Sequence, residues 1–125
     1  MTKALIVDDS PSMRELLSYV LSKLPGLEVE TAQDGLDGFK KLLSSRYDLV
    51  ITEIYMPIMD GCKLARLIRS DPNHKHIPIL VLTRETDRES RKNMLSCGAN
   101  EYLTKPIQAP DVLSLVKRLL SEKKF

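Results

Sequence analysis

The sequence predicts an α/β protein: one parallel sheet, doubly wound, with helices on both faces. Three observations carry this. Short apolar runs rich in Val, Ile and Leu alternate with helical patterns along the whole chain. The runs show little polar alternation, which marks strands buried on both faces. The 125 residues, 42% of them hydrophobic, suit one domain that can bury well over half of its unfolded surface.

The elements follow in order. "ALIV" (Ala4 to Val7) is a short buried strand. Met13, Leu16, Leu17, Val20, Leu21 and Leu24 then repeat as one helix face, with Ser10 as N-cap and Pro11 at the first helical position. Pro25–Gly26 ends that helix. "LEVETA" alternates like a strand. "DGLDGFKKLLSS" is a helix expected to turn Leu36, Phe39, Leu42 and Leu43 inward. "LVIT" is the third strand, and a loop spans Pro57 to Gly61. Leu64, Leu67 and Ile68 mark a third helix, stopped by "SDPN". "PILVLT" is the fourth strand, Arg88 to Cys97 a helix ending at Gly98, and "EYL" a short fifth strand. Asp111 to Glu122 closes the chain as a helix with Val112, Leu115, Val116, Leu119 and Leu120 inward.

Composition excludes several classes. A net charge of +2 is too mild for a nucleic-acid or anionic-membrane surface. No apolar run approaches the roughly 18 residues of a membrane span, and "MTKALIVDDS" is not a signal peptide. A cytoplasmic, reducing compartment is therefore the expectation, with Cys62 and Cys97 as free, packed thiols rather than a bridge. His74 and His76 in "HKH" lack a third ligand and read as solvent-exposed. "RETDRESRK" is mixed in sign without aromatics, a solvated helix start rather than a nucleic-acid patch.

Parallel sheets of this kind bind ligands beyond the carboxyl ends of their strands. There the sequence places Asp8 and Asp9 after strand one, Glu53 after strand three, Thr83 at the end of strand four and Lys105 after strand five. Carboxylates so close repel unless a cation intervenes. Magnesium, a hard ion that takes oxygen ligands and keeps several waters, resolves that conflict. A lysine and a hydroxyl opposite the metal make a clamp for a phosphoryl group.

"IVDDSPSMR", "DLVITEIYMPIMDG", "ILVLT" and "GANEYLTKP" resemble, in order and spacing, the motifs of response-regulator receiver domains of two-component signalling. The resemblance covers nearly the whole chain. It implies a flavodoxin-like fold with strand order 2-1-3-4-5 and five flanking helices, over residues 1–125 as a single receiver domain without an output domain. It also implies roles. Asp9 is the direct metal ligand, Asp8 acts through water, and the Tyr55 carbonyl is the backbone ligand. Thr83 is the switch hydroxyl, Tyr102 the switch aromatic and Lys105 the phosphate-binding lysine. Pro106 follows a cis peptide bond.

Two positions depart from the family pattern. The phosphoacceptor is an aspartate in the family, and Glu53 stands there. The extra methylene adds roughly 1.5 Å of reach, and an offset of that order costs about 100-fold in an in-line attack. Glu53 is thus a poor acceptor and a partial imitation of the phosphorylated state that can still contribute to metal binding. A replaced aspartate and a natural variant signalling without phosphate both fit, the complete remainder of the pocket favouring the former. Arg84 follows the switch threonine where the family has a small residue. It either screens the site, pairing with Glu53 or Glu85, or extends into solvent.

The resemblance implies a non-enzymatic signalling function by regulated protein contact, with weakly bound magnesium. A histidine kinase or phosphotransfer protein stands upstream, and a target docks on the face of helix four, strand five and helix five. The "DDSPSMR" motif and the chain length point to chemotaxis-type regulators. Neither nucleic acid nor membrane insertion is expected. The alternative is a phosphorylation-independent pseudo-receiver acting as an interaction module. A metal-dependent phosphatase of similar topology is disfavoured, because its acid/base aspartate would fall two residues after Asp8, where Ser10 stands.

Overall fold

Ten elements alternate along residues 2–122, the part of the chain that the computed structural model describes. They are β1 (Thr2–Val7), α1 (Pro11–Leu21), β2 (Leu27–Ala32), α2 (Gly35–Ser44), β3 (Leu49–Thr52), α3 (Gly61–Ser70), β4 (Ile79–Thr83), α4 (Arg88–Cys97), β5 (Glu101–Thr104) and α5 (Ala109–Glu122). Every strand pair is parallel and the order is β2-β1-β3-β4-β5, the flavodoxin-like arrangement expected. The chain winds outward in both directions from β1. The switch point therefore lies between the ends of β1 and β3.

Successive strand side chains point to opposite faces, and this divides the interior into two cores. Leu5, Val7, Val50, Ile79 and Val81 pack with Leu64 and Ile68 of α3 and Met94 of α4. Ala4, Ile6, Leu49, Ile51, Leu80 and Leu82 pack with Leu17 and Leu21 of α1 and Val112 and Val116 of α5. Continuous burial of "LVIT" and "ILVLT" on both faces explains why these runs lack alternation. Ser10, Asp34, Asp60 and Asp87 cap α1 to α4, each side chain accepting the amide three residues on.

Several expectations change on folding. Leu16 and Leu43 are 43% and 66% exposed; the buried stripes are narrower, centred on Leu17, Val20 and Leu21 in α1 and on Gly35, Gly38 and Leu42 in α2. His74 is buried, not exposed. Its Nε2 accepts the Tyr47 amide at 3.1 Å and its Nδ1 lies 2.7 Å from Asp71 Oδ2. It thereby ties the entry of β3 to the turn after α3, while His76 is exposed. Cys62 and Cys97 are not free thiols but a disulfide, with Cα atoms 5.4 Å apart. The packing of α3 against α4 brings them together across 35 residues, which no local pattern encodes. No described helix is long and apolar enough to cross a membrane.

Candidate functional site

Asp8, Glu53 and Lys105 meet at the switch point because each follows directly from a strand end. Asp8 continues β1, and its amide still donates to Ala32 of β2 at 3.1 Å. Its carboxylate is buried: Oδ1 accepts the Ser10 amide at 2.9 Å, and Oδ2 receives Lys105 Nζ at 3.0 Å. Arg14, one turn into α1, donates to the Asp8 carbonyl at 2.7 Å. Arg14 fixes this loop from a position that sequence reasoning passed over. The signal available was a long cation in the first turns of a helix that starts beside the acidic pair.

Glu53 continues β3, its amide bonded to Val7 at 3.0 Å. The side chain is committed at both oxygens: Oε1 receives Lys105 Nζ at 2.8 Å and Oε2 accepts the Ile54 amide at 2.7 Å. The backbone is also held. Thr52 Oγ1 donates to the Glu53 carbonyl at 2.9 Å, and the Gly61 amide donates to Ile54 at 2.7 Å. Gly61 must be glycine here, because a Cβ would collide with the Glu53 carbonyl oxygen.

Lys105 leaves β5 with its amide on the Thr83 carbonyl at 2.7 Å and a cis bond to Pro106, as the resemblance implied. Its side chain is 8% exposed. Burial works against the ammonium, but the hydrogen bonds and charges of Glu53 and Asp8 prevail and hold it above the usual lysine range. Asp8, Glu53 and Lys105 are thus one buried charged triad.

The other predicted residues stand apart from that triad. Thr83 is buried, but its hydroxyl receives the Glu85 amide at 3.4 Å rather than meeting Glu53. Tyr102 is buried with its hydroxyl donating to the Glu85 carbonyl at 2.8 Å, and the Arg91 guanidinium lies 5.9 Å from its ring. Burial and the charges of Asp87, Glu85 and Glu53 raise the Tyr102 phenol. Arg84 is exposed and forms no ion pair among the described residues, which is the solvated reading. Tyr55 is 60% exposed, and Ile58 in the same loop has a positive φ of 72°, a conformation uncommon for a β-branched residue.

The donor chemistry suits a hard cation, since Asp8, Asp9, Glu53 and the Tyr55 carbonyl offer only oxygens. Asp9 is exposed, and its carboxylate has no partner among the described residues. Asp8 and Glu53 are engaged by Lys105, and no three acidic, histidine or cysteine side chains are grouped as a ready metal cage among the described residues. A hard cation would meet Asp9 as the carboxylate not already engaged, while Asp8 and Glu53 share the single ammonium of Lys105 and keep a net negative charge.

The family model of the response regulator receiver domain matches residues 4–117. Chemotaxis protein CheY-3 of Vibrio cholerae is 37% identical over 107 residues, covering 86% of this chain and 82% of the relative. Hybrid signal transduction histidine kinase D of Dictyostelium discoideum is 35% identical over 120 residues, 96% of this chain. The chain spans 8%, 14% and 12% of the length of the first curated relatives it matches. Among solved structures, response regulator TrrA of Thermotoga maritima, in complex with magnesium and beryllofluoride, superposes with a TM-score of 0.84 at 37% identity, covering 95% of this chain and 99% of that one. The receiver domain of a Pseudomonas aeruginosa sensor histidine kinase, with magnesium in its active-site cleft, gives 0.88 at 28% identity, covering 96% and 98%.

Proposed function

This chain belongs to the response-regulator receiver domain family, and we propose that it signals by regulated protein contact while position 53 itself takes no phosphoryl group. The observation that carries this reading is the Lys105–Glu53 pair at 2.8 Å. In the resemblance, Lys105 binds the phosphoryl group on the acceptor. Here the longer acceptor-position carboxylate already engages the lysine through one oxygen, and its second oxygen is turned onto the Ile54 amide. Neither oxygen is left as an unengaged nucleophile for in-line attack.

Glu53 also supports a partial imitation of the activated state. Tyr102 lies inward with its hydroxyl on Glu85, whereas Thr83 makes no bond to Glu53. The imitation reaches the lysine and stops short of the switch hydroxyl. A second reading, the phosphorylation-independent interaction module, draws on the same inward Tyr102, whose hydroxyl is held by the Glu85 carbonyl.

Magnesium would be held by Asp9 directly, by Asp8 through water and by the Tyr55 carbonyl, with Glu53 contributing if it releases Lys105. When bound, the ion supplies charge neutralisation beside the carboxylates. The chain's own residues supply the rest: Lys105 fixes the two carboxylates, and Arg14 and Gly61 hold the loops that present them. In this role the chain turns over no substrate. Ser10, where a phosphatase would need its acid, is occupied as the cap of α1, bonded to Met13 at 3.2 Å.

The upstream partner class is a histidine kinase or phosphotransfer protein, and the downstream target docks on α4, β5 and α5, in the cytoplasm and without nucleic acid. The test is incubation with a small acyl phosphate and magnesium, followed by intact-mass and peptide analysis. The expected result is no phosphoryl adduct at Glu53. A stable adduct mapped to Glu53 overturns the proposal.

A further inference from the structure

The disulfide between Cys62 and Cys97 joins the second residue of α3 to the last residue of α4. What flanks it gives it a consequence. On one side, Gly61 packs against the Glu53 carbonyl and bonds to Ile54, so the bridge is anchored to the loop that bears the acceptor position. On the other side, α4 buries few of its own side chains. Of its ten residues only Met94 and Cys97 are buried, so one of its two buried contacts is the bridge itself. Nearly two turns before Cys97, α4 carries Arg91, whose guanidinium stands 5.9 Å from the Tyr102 ring. The bridge is thus the one covalent step in a chain of contacts that runs from the loop of position 53 through α4 toward Tyr102, and it can be opened.

Disulfides of reducing compartments are usually transient and redox-sensing. We propose that Cys62 and Cys97 form a reversible thiol–disulfide clamp on α4, closed by a low-molecular-weight disulfide and opened by the corresponding thiol. Opening starts at Cys62, the less buried of the two. A thiolate attacks the Cys62 sulfur, and the S–S bonding pair departs with Cys97, which takes a proton from water. A second thiolate attacks the outer sulfur of the mixed disulfide and releases Cys62 as thiolate, which is protonated in turn. The protein gains two electrons and two protons, and two small thiols become one disulfide. Closing is the reverse sequence.

Opening the clamp loosens α4 without unfolding the domain, because a second tie remains. Arg69 of α3 donates to the Gly98 carbonyl from Nε at 3.0 Å and from Nη2 at 2.7 Å, and to the Ile77 carbonyl at 2.6 Å. The foot of α4 stays attached in the open state while the rest of the helix gains freedom. The action on α4 stands apart from the chemistry of Glu53; its consequence for a target docked on α4, β5 and α5, and its need for a reducing compartment, rest on the function proposed above.

The test uses the wild-type chain in glutathione buffers ranging from fully reduced to fully oxidised. Alkylation and mass measurement count the thiols, and amide hydrogen exchange reads each element. The expected result is two alkylated cysteines in the reduced protein and none in the oxidised one, with α4 amides exchanging about tenfold or more faster when reduced while β1 and β3 keep their protection. Cys97→Ser in oxidising buffer should match the reduced wild type. Two alkylatable thiols across the whole series overturn the proposal. So does a closed bridge with α4 exchange unchanged, or a change of equal size in every element, which would make the bridge a general staple. None of these outcomes depends on phosphorylation.

Discussion

Lys105 Nζ lies 2.8 Å from Glu53 Oε1, and the two side chains are 8% and 11% exposed. Asp8 shares the same ammonium at 3.0 Å. One cation is therefore shared by two carboxylates where the resemblance expects a phosphoryl group and a metal.

Removing that cation strands two buried carboxylates. Lys105→Met should cost about 3–5 kcal/mol, read as a lower urea midpoint, and adding Glu53→Gln should recover part of the loss. The pH dependence has a definite sign. The folded pKa of Lys105 is raised, so its contribution is complete below the unfolded value of 10.5 and is lost as pH rises through the folded one. Wild-type stability should fall in that alkaline range, and the Lys105→Met curve should be flatter there. Equal slopes for both proteins would show that the pair contributes nothing.

Shortening the acceptor should restore room for a phosphoryl group. In Glu53→Asp, the carboxylate no longer spans to Lys105 in the same way, while Asp8, Asp9 and Thr83 are unchanged. With magnesium, beryllofluoride should then bind and shift the amide resonances of Thr83 and Tyr102, with no such shifts in the wild type. Folded proteins that both stay silent would favour the phosphorylation-independent module.

Magnesium should bind weakly and through Asp9, the carboxylate without a competing partner. Calorimetric titration to millimolar magnesium should give heat for the wild type and none for Asp9→Ala. Indistinguishable traces would remove Asp9 from the site.

His74 anchors the entry of β3, and its loss should be felt in stability rather than at the pocket. Because Nε2 accepts the Tyr47 amide, Nδ1 carries the proton that Asp71 receives. His74→Ala leaves the Tyr47 amide unpaired and should cost about 1–3 kcal/mol. Asp71 is held below its ordinary 3.8, chiefly by the hydrogen bond from His74. Its contribution is present above the unfolded value and lost as pH falls through the folded one. Urea melts carried from neutral pH down past that value should show a shallower acid loss in the variant than in the wild type.

The strands, the helix starts and the residues at the strand ends were legible in the sequence because they are local. Doubly buried strands must be apolar on both faces, and Ser10 before Pro11 announces a helix whatever lies elsewhere. Asp8, Glu53 and Lys105 could be placed at one edge because a parallel sheet brings all its carboxyl ends to the same side. What those side chains do there was decided by tertiary contact. The ammonium could have faced a metal-bound phosphoryl site, and instead it closes on the longer carboxylate of Glu53. Thr83 turns to Glu85, Leu43 falls outside a stripe narrower than its helical period suggested, and His74 is buried by a turn that Tyr47 meets from 27 residues away. The Cys62–Cys97 bridge belongs to this second group most clearly. Hydrophobic period determines which face of α3 and of α4 turns inward, but only the docking of one helix on the other brings two thiols 35 residues apart within bonding distance.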